Sequence, residues 1–140
     1  MFVQDRDQLR KFFISSWQKR AKRQAMEPLE TMVADVIARH PEYQPLLEKE
    51  ETALGRDYLP EFGETNPFLH MGMHIALHEQ VSTDRPAGIR ELYRHICEKT
   101  GDEHEAEHRI MECLAEMIWQ AQRHNTIPDE QAYLDRLKAI

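Results

Sequence analysis

The stretch NPFLHMGMHIALHEQV, residues 66–81, decides how this chain is read. Asn66 before Pro67 is an N-cap followed by a first-turn proline, so a helix starts there; proline at that position gives up only an N–H that has no partner within the helix. At 100° per residue, His70, His74 and His78 fall within an arc of about 80°, flanked by Met71, Leu77 and Val81. A helix that is apolar nearly all round is buried, which places these imidazoles inside a bundle, where each needs a hydrogen-bond partner or a metal. His70 and His78 lie about 12 Å apart along the axis, too far to ligate one ion together. Neighbours at i, i+4 can: His70/His74 or His74/His78.

A second histidine element follows in GDEHEAEH, residues 101–108. It contains H-E-x-x-H and, read the other way, H-x-x-E-H, both metallopeptidase patterns. In that chemistry His104 and His108 bind zinc from one face and Glu105 or Glu107 acts as base for the bound water, with Glu112 and Glu116 continuing the stripe. Eight histidines in 140 residues give about 0.4 H-x-x-x-H pairs by chance, and three occur here. A peptidase also needs a third ligand and a cleft, and neither a strand nor a second domain is in view to build one. Ile110, Leu114, Met117, Ile118 and Ala121 define the core side of this helix, with the histidines roughly 90° to 130° away. Trp119 falls on the histidine side, which suggests that this side is covered.

Outward from these two helices, apolar spacing at a period of 3.6 gives about seven helical segments and no strand. Helix one spans about 5–25, burying Leu9, Phe12, Phe13, Ile14 and Trp17. Helix two starts near Pro28, carries Leu29, Met32, Val33, Val36 and Ile37, and stops at His40-Pro41. A third segment over about 42–53 leads into a loop anchored by Tyr58, Leu59 and Phe62. Asp84-Arg85-Pro86 opens a helix with Ile89, Leu92, Tyr93 and Ile96 that ends at Gly101. The next covers about 102–124, and Thr126, Pro128 and Asp129 resemble a capping box before a last helix with Tyr133, Leu134 and Leu137. The expected fold is all-α, a single-domain helical bundle of six or seven helices over residues 1–140.

Composition agrees, since 31% charged and 41% hydrophobic residues lie in the globular range. Cys97 and Cys113 read as reduced, core-packed thiols. Nothing resembles a signal peptide or a membrane span, so a cytoplasmic protein without a membrane partner is expected. The net charge of −7 divides into +5 over residues 1–25 and −12 over the rest. A basic segment 10–23 with Lys19, Arg20, Lys22 and Arg23 could contact nucleic acid or an acidic partner, although such a run is more often a solvated helix face. Two readings follow: a divalent-metal site shared by the two histidine helices, or a non-enzymatic interaction protein that uses its basic helix and keeps the histidines as core polar residues.

The stretches NPFLHMGMH (66–74), TDRPAGIR (83–90), GDEHEAEH (101–108) and EMIWQAQ (116–122), with the aromatic start at Phe12, Phe13 and Trp17, resemble a small uncharacterised bacterial family, domain of unknown function 1841. The likeness covers nearly the whole chain and brings no activity with it. It implies a bacterial cytosolic protein, and its pattern falls on His70, His74, His104, Glu107, His108, Glu116 and Trp119. His78 and Glu105 fit that pattern less well, which favours the pairs His70/His74 and His104/His108. The expected site is therefore His70, His74, His104 and His108 with Glu107 and Glu116, holding zinc, iron, nickel or manganese in a hydrolytic, redox or structural role.

Overall fold

The computed structural model describes residues 3–56, 58 and 66–140, and every regular element among them is helical. The helices are α1 (Val3–Ala21), α2 (Pro28–Ala38), α3 (Gln44–Leu47), α4 (Glu50–Gly55), α5 (Pro67–Thr83), α6 (Ile89–Thr100), α7 (Glu103–His124) and α8 (Glu130–Lys138), with a single 3-10 turn at Pro41–Tyr43. The seven expected segments are all present, the third as a 3-10 turn and two short helices. Pro41 and Pro45 supply no N–H to a continuous ladder, and Lys49 has left the helical region at ψ 83°. Of the expected loop anchors, Tyr58 packs against buried apolar residues. Leu59 and Phe62 lie outside the described residues. No helix among those described is long and apolar enough to cross a membrane.

The backbone divides into two compact units, Met1–Ile75 and Ala76–Ile140, with the boundary inside α5. The first unit has a core of Phe13 and Ile14 from α1, Val33, Val36 and Ile37 from α2, Leu47, Ala53, and Phe68 and Met71 from the start of α5. Phe13 and Phe68 meet edge to face at 5.7 Å. Asn66 caps α5 as the sequence predicts, its Oδ1 accepting the Phe68 amide at 3.0 Å and the Leu69 amide at 3.2 Å.

Two expectations for α1 are corrected. Leu9 is 44% exposed, whereas Arg10 is only 2% exposed. The inward stripe runs 10, 13, 14, 17, the correct helical spacing, with an arginine at its first position and half-buried Trp17 at its last. Its guanidinium donates to the carbonyls of Ala53 (2.9 Å) and Arg56 (2.7 Å) and lies 4.8 Å from the Phe68 ring centre. Carbonyls at the end of α4 thus receive the charge-assisted donors they lack within the helix, and the guanidinium plane is covered by an aromatic face. The second correction is the end of α1, which comes at Ala21 and not near residue 25. Arg23 takes the left-handed conformation (φ 54°), and the Gln24 amide reaches back to the Lys19 carbonyl at 2.9 Å, a Schellman closure without the glycine that usually announces one. Leu29, expected on the stripe of α2, is 46% exposed.

In the second unit, α6, α7 and α8 pack on one another, burying Ile89, Ile96, Ile110, Leu114, Met117, Tyr133 and Leu137. Gly101 turns the chain between α6 and α7 at φ 75°, a left-handed conformation that suits glycine, and Asp102 caps α7 through the His104 amide at 2.9 Å. The cap of α8 is Asp129, which accepts the Ala132 amide at 3.0 Å. Thr126 was expected there and instead closes α7, its amide donating to the Ala121 carbonyl at 2.9 Å. The Tyr133 hydroxyl ties α8 to α5 through Gln80 at 2.8 Å.

Arg10→Met should lower stability by about 2–4 kcal/mol in urea unfolding, because the α4 carbonyls stay buried without their donor. Arg10→Lys should recover little, since an ammonium cannot reach both carbonyls in one plane.

Candidate metal centre

In the first unit the chain leaves α2 at His40, whose backbone (φ −125°, ψ 69°) is pushed out of the helical region by the following Pro41. The imidazole folds back on the helix it ends, its Nδ1 lying 2.8 Å from the Val36 carbonyl. A carbonyl only accepts, so this bond puts the proton on Nδ1 and the lone pair on Nε2. His40 is 2% exposed; Tyr43 stacks on its ring at 5.5 Å, and His70 and His74 meet it edge-on at 5.3 and 4.7 Å between ring centres. Burial pushes the Tyr43 hydroxyl above its ordinary pKa. His70 and His74, one turn apart on α5, approach to 3.3 Å between their Nε2 atoms. His74 is buried as expected and His70 is half-buried.

In the second unit His104 and His108 pack ring to ring at 4.2 Å between centres on the first turns of α7, His104 exposed and His108 half-buried. Glu107, next to His108 in sequence, is 1% exposed. Its Oε1 lies 2.9 Å from Nε2 of His78 and its Oε2 accepts the Tyr93 hydroxyl at 2.6 Å. Tyr93 also reaches Glu103 at 3.2 Å. Burial, and then the hydrogen bond to the Glu107 carboxylate, drive the Tyr93 pKa far above that of an ordinary phenol, so the hydroxyl remains a donor.

The other candidates are exposed or meet other partners. Glu105 is exposed and pairs with Arg109 at 2.9 Å, which removes the H-E-x-x-H base from the histidine side. Glu116 accepts from Gln120 at 2.9 Å and lies 3.9 Å from Arg136. Glu112 is exposed. Trp119 was expected to be covered by another element; it is 49% exposed, its ring carrying the Arg123 guanidinium at 5.0 Å, so a neighbour on its own helix supplies the cover.

Of the basic segment, Arg10 is buried and Lys19 and Arg20 pair with Glu30 and Asp35, while Lys11, Lys22 and Arg23 remain exposed. The Lys19 ammonium, 2.6 Å from Glu30, together with the Glu27 amide, holds the Glu30 carboxyl below its usual range.

Sequence reading missed His40. No second histidine stands four residues from it, and its position before Pro41 reads only as a helix stop; the ring's return onto the Val36 carbonyl depends on how the chain turns there. Cys97 and Cys113 are both free and only half-buried, with burial raising both thiols. They should therefore react with iodoacetamide more slowly at pH 8 than a free peptide cysteine, the rate still climbing above pH 9; a rate equal to the peptide's would contradict that burial.

The sequence model of a family described as a domain of unknown function (DUF1841) matches residues 5–139. No curated protein matches the chain, and no solved structure does.

Proposed function

The chain belongs to the DUF1841 family, whose description carries no activity, and we propose that it binds one divalent transition-metal ion through His40, His74, His104 and His108. One distance carries this reading: each of the four offers one ligand nitrogen, and these nitrogens lie within 4.8 Å of one another. Nitrogens bound about 2.0–2.1 Å from zinc in a tetrahedron are about 3.3 Å apart, so side-chain adjustments of about 1 Å bring the set onto an ion. The bond that Nδ1 of His40 donates to the Val36 carbonyl is the outer support that metal-bound imidazoles usually have.

Four imidazole nitrogens without a carboxylate favour zinc, nickel, copper or ferrous iron over manganese, magnesium or calcium, which take oxygen ligands. His70 remains a neighbour of His74, able to support it or to join the ion. Glu116 is about 12 Å along α7 from His108 and lies beyond such an ion. Four nitrogens complete a tetrahedral shell, as in a structural or electron-transferring site. Hydrolysis would need one imidazole to leave, and exposed His104 is the member that water can replace. The boundary inside α5, with no linker there, supports reading the two units as one domain.

Tag-free protein grown in metal-replete medium should carry about one equivalent of metal by elemental analysis, and alanine at His40, His74, His104 or His108 should remove most of it. His70→Ala should retain more. Wild-type protein holding less than about a tenth of an equivalent would sink the reading. Trp17 and Trp119 report on one unit each, so single-tryptophan variants should show coincident urea transitions if the chain is one domain. Separate midpoints would divide it.

A further inference from the structure

We infer that Glu107 is a positioning residue for this ion and not a ligand: clamped by His78 and Tyr93, it fixes the rotation of α7 and thereby the direction in which His104 and His108 present their nitrogens. This inference rests on the metal reading above.

The clamp has three parts from three helices. The carboxylate is 1% exposed, and its two oxygens are engaged separately, Oε1 by Nε2 of His78 on α5 and Oε2 by the Tyr93 hydroxyl on α6, at 2.9 and 2.6 Å. A buried carboxylate that let go of either donor would lose a charge-assisted hydrogen bond away from bulk water, so the arrangement favours its present setting. At 100° per residue, Glu107 stands about 80° around the α7 axis from the mean direction of His104 and His108, and locking one direction locks the other.

The required tolerance is narrow. An imidazole nitrogen stands about 6 Å from the helix axis, so a roll of 10° displaces it by about 1 Å, whereas metal–ligand distances hold to within about 0.2 Å. The polar neighbours within α7 do not control this roll. Glu105 pairs with Arg109 on the same helix, and the Asp102 carboxylate caps the first turn by accepting the His104 amide of the same helix. Contacts to other helices set the rotation, and the two that Glu107 makes rest on a carboxylate 1% exposed, whereas Glu103 to Tyr93 and Glu116 to Arg136 are solvent-accessible contacts.

The test is titration of the full-length, metal-free protein with Co2+, read by its visible absorption, and competition with zinc. Glu107→Ala should weaken binding at least tenfold, a loss of the size usual when support behind a ligand is removed, with the Co2+ band positions kept because the four nitrogens are unchanged. Glu107→Gln should recover most of the affinity, since an amide still accepts from Tyr93 and can donate to His78. Tyr93→Phe removes one donor with little change in shape, serves if Glu107→Ala does not fold, and should weaken Co2+ binding severalfold.

Wild-type affinity in Glu107→Ala or, where that variant does not fold, in Tyr93→Phe overturns the inference. So does a glutamine variant as weak as alanine, or shifted Co2+ bands, because those results make the carboxylate a ligand or a needed charge. Wild-type protein that takes up no Co2+ at all overturns the metal reading itself, a distinguishable result.

Discussion

A polar side chain withdrawn from water must find its hydrogen-bond partners in the protein, and helices satisfy their own backbones while leaving such side chains to be met by other elements. In this chain those obligations set the geometry. Arg10 fastens α1 to the carbonyls that end α4. Glu107 joins α7 to α5 and α6. His40 turns back on the last turn of α2. Apolar attraction is non-directional, whereas a carboxylate between a phenol and an imidazole, or a guanidinium on two carbonyls, depends on direction as well as distance.

The same constraint separates the histidines by role. His78 is met by a carboxylate, a partner that suits an imidazole in either protonation state. His40, His70 and His74 are met by one another. Imidazoles packed ring to ring repel when protonated and, when neutral, present lone pairs that could hold a metal ion. That contrast separates the histidines more sharply than sequence position does, since His74 and His78 are a single turn apart on one helix.

Much of the helical layout was legible because its signals are local. Asn66-Pro67, Gly101-Asp102 and the 3.6 spacing of apolar residues act within one or two turns, and their elements fall where the pattern puts them. The misjudgements share one physical origin. Leu9 and Leu29 are apolar yet face outward, Arg10 is charged yet faces inward, and Trp119 is shielded by its own helix, because burial is decided by angle and partner and residue type gives only a prior. Arg23 closes α1 in a conformation its side chain does not advertise.

The chain's pattern by itself determined that the fold is all-α, that His74 is buried, and that His70/His74 and His104/His108 each stand as neighbours on one helical face, because residues four apart meet wherever a helix forms. Only the tertiary structure brought in His40, gave Glu107 to His78 and Tyr93, and turned Glu105 to the solvent. Those outcomes depend on which side chains from distant segments meet, and a period of 3.6 residues carries no information about partners 29 residues away, the separation between His78 and Glu107.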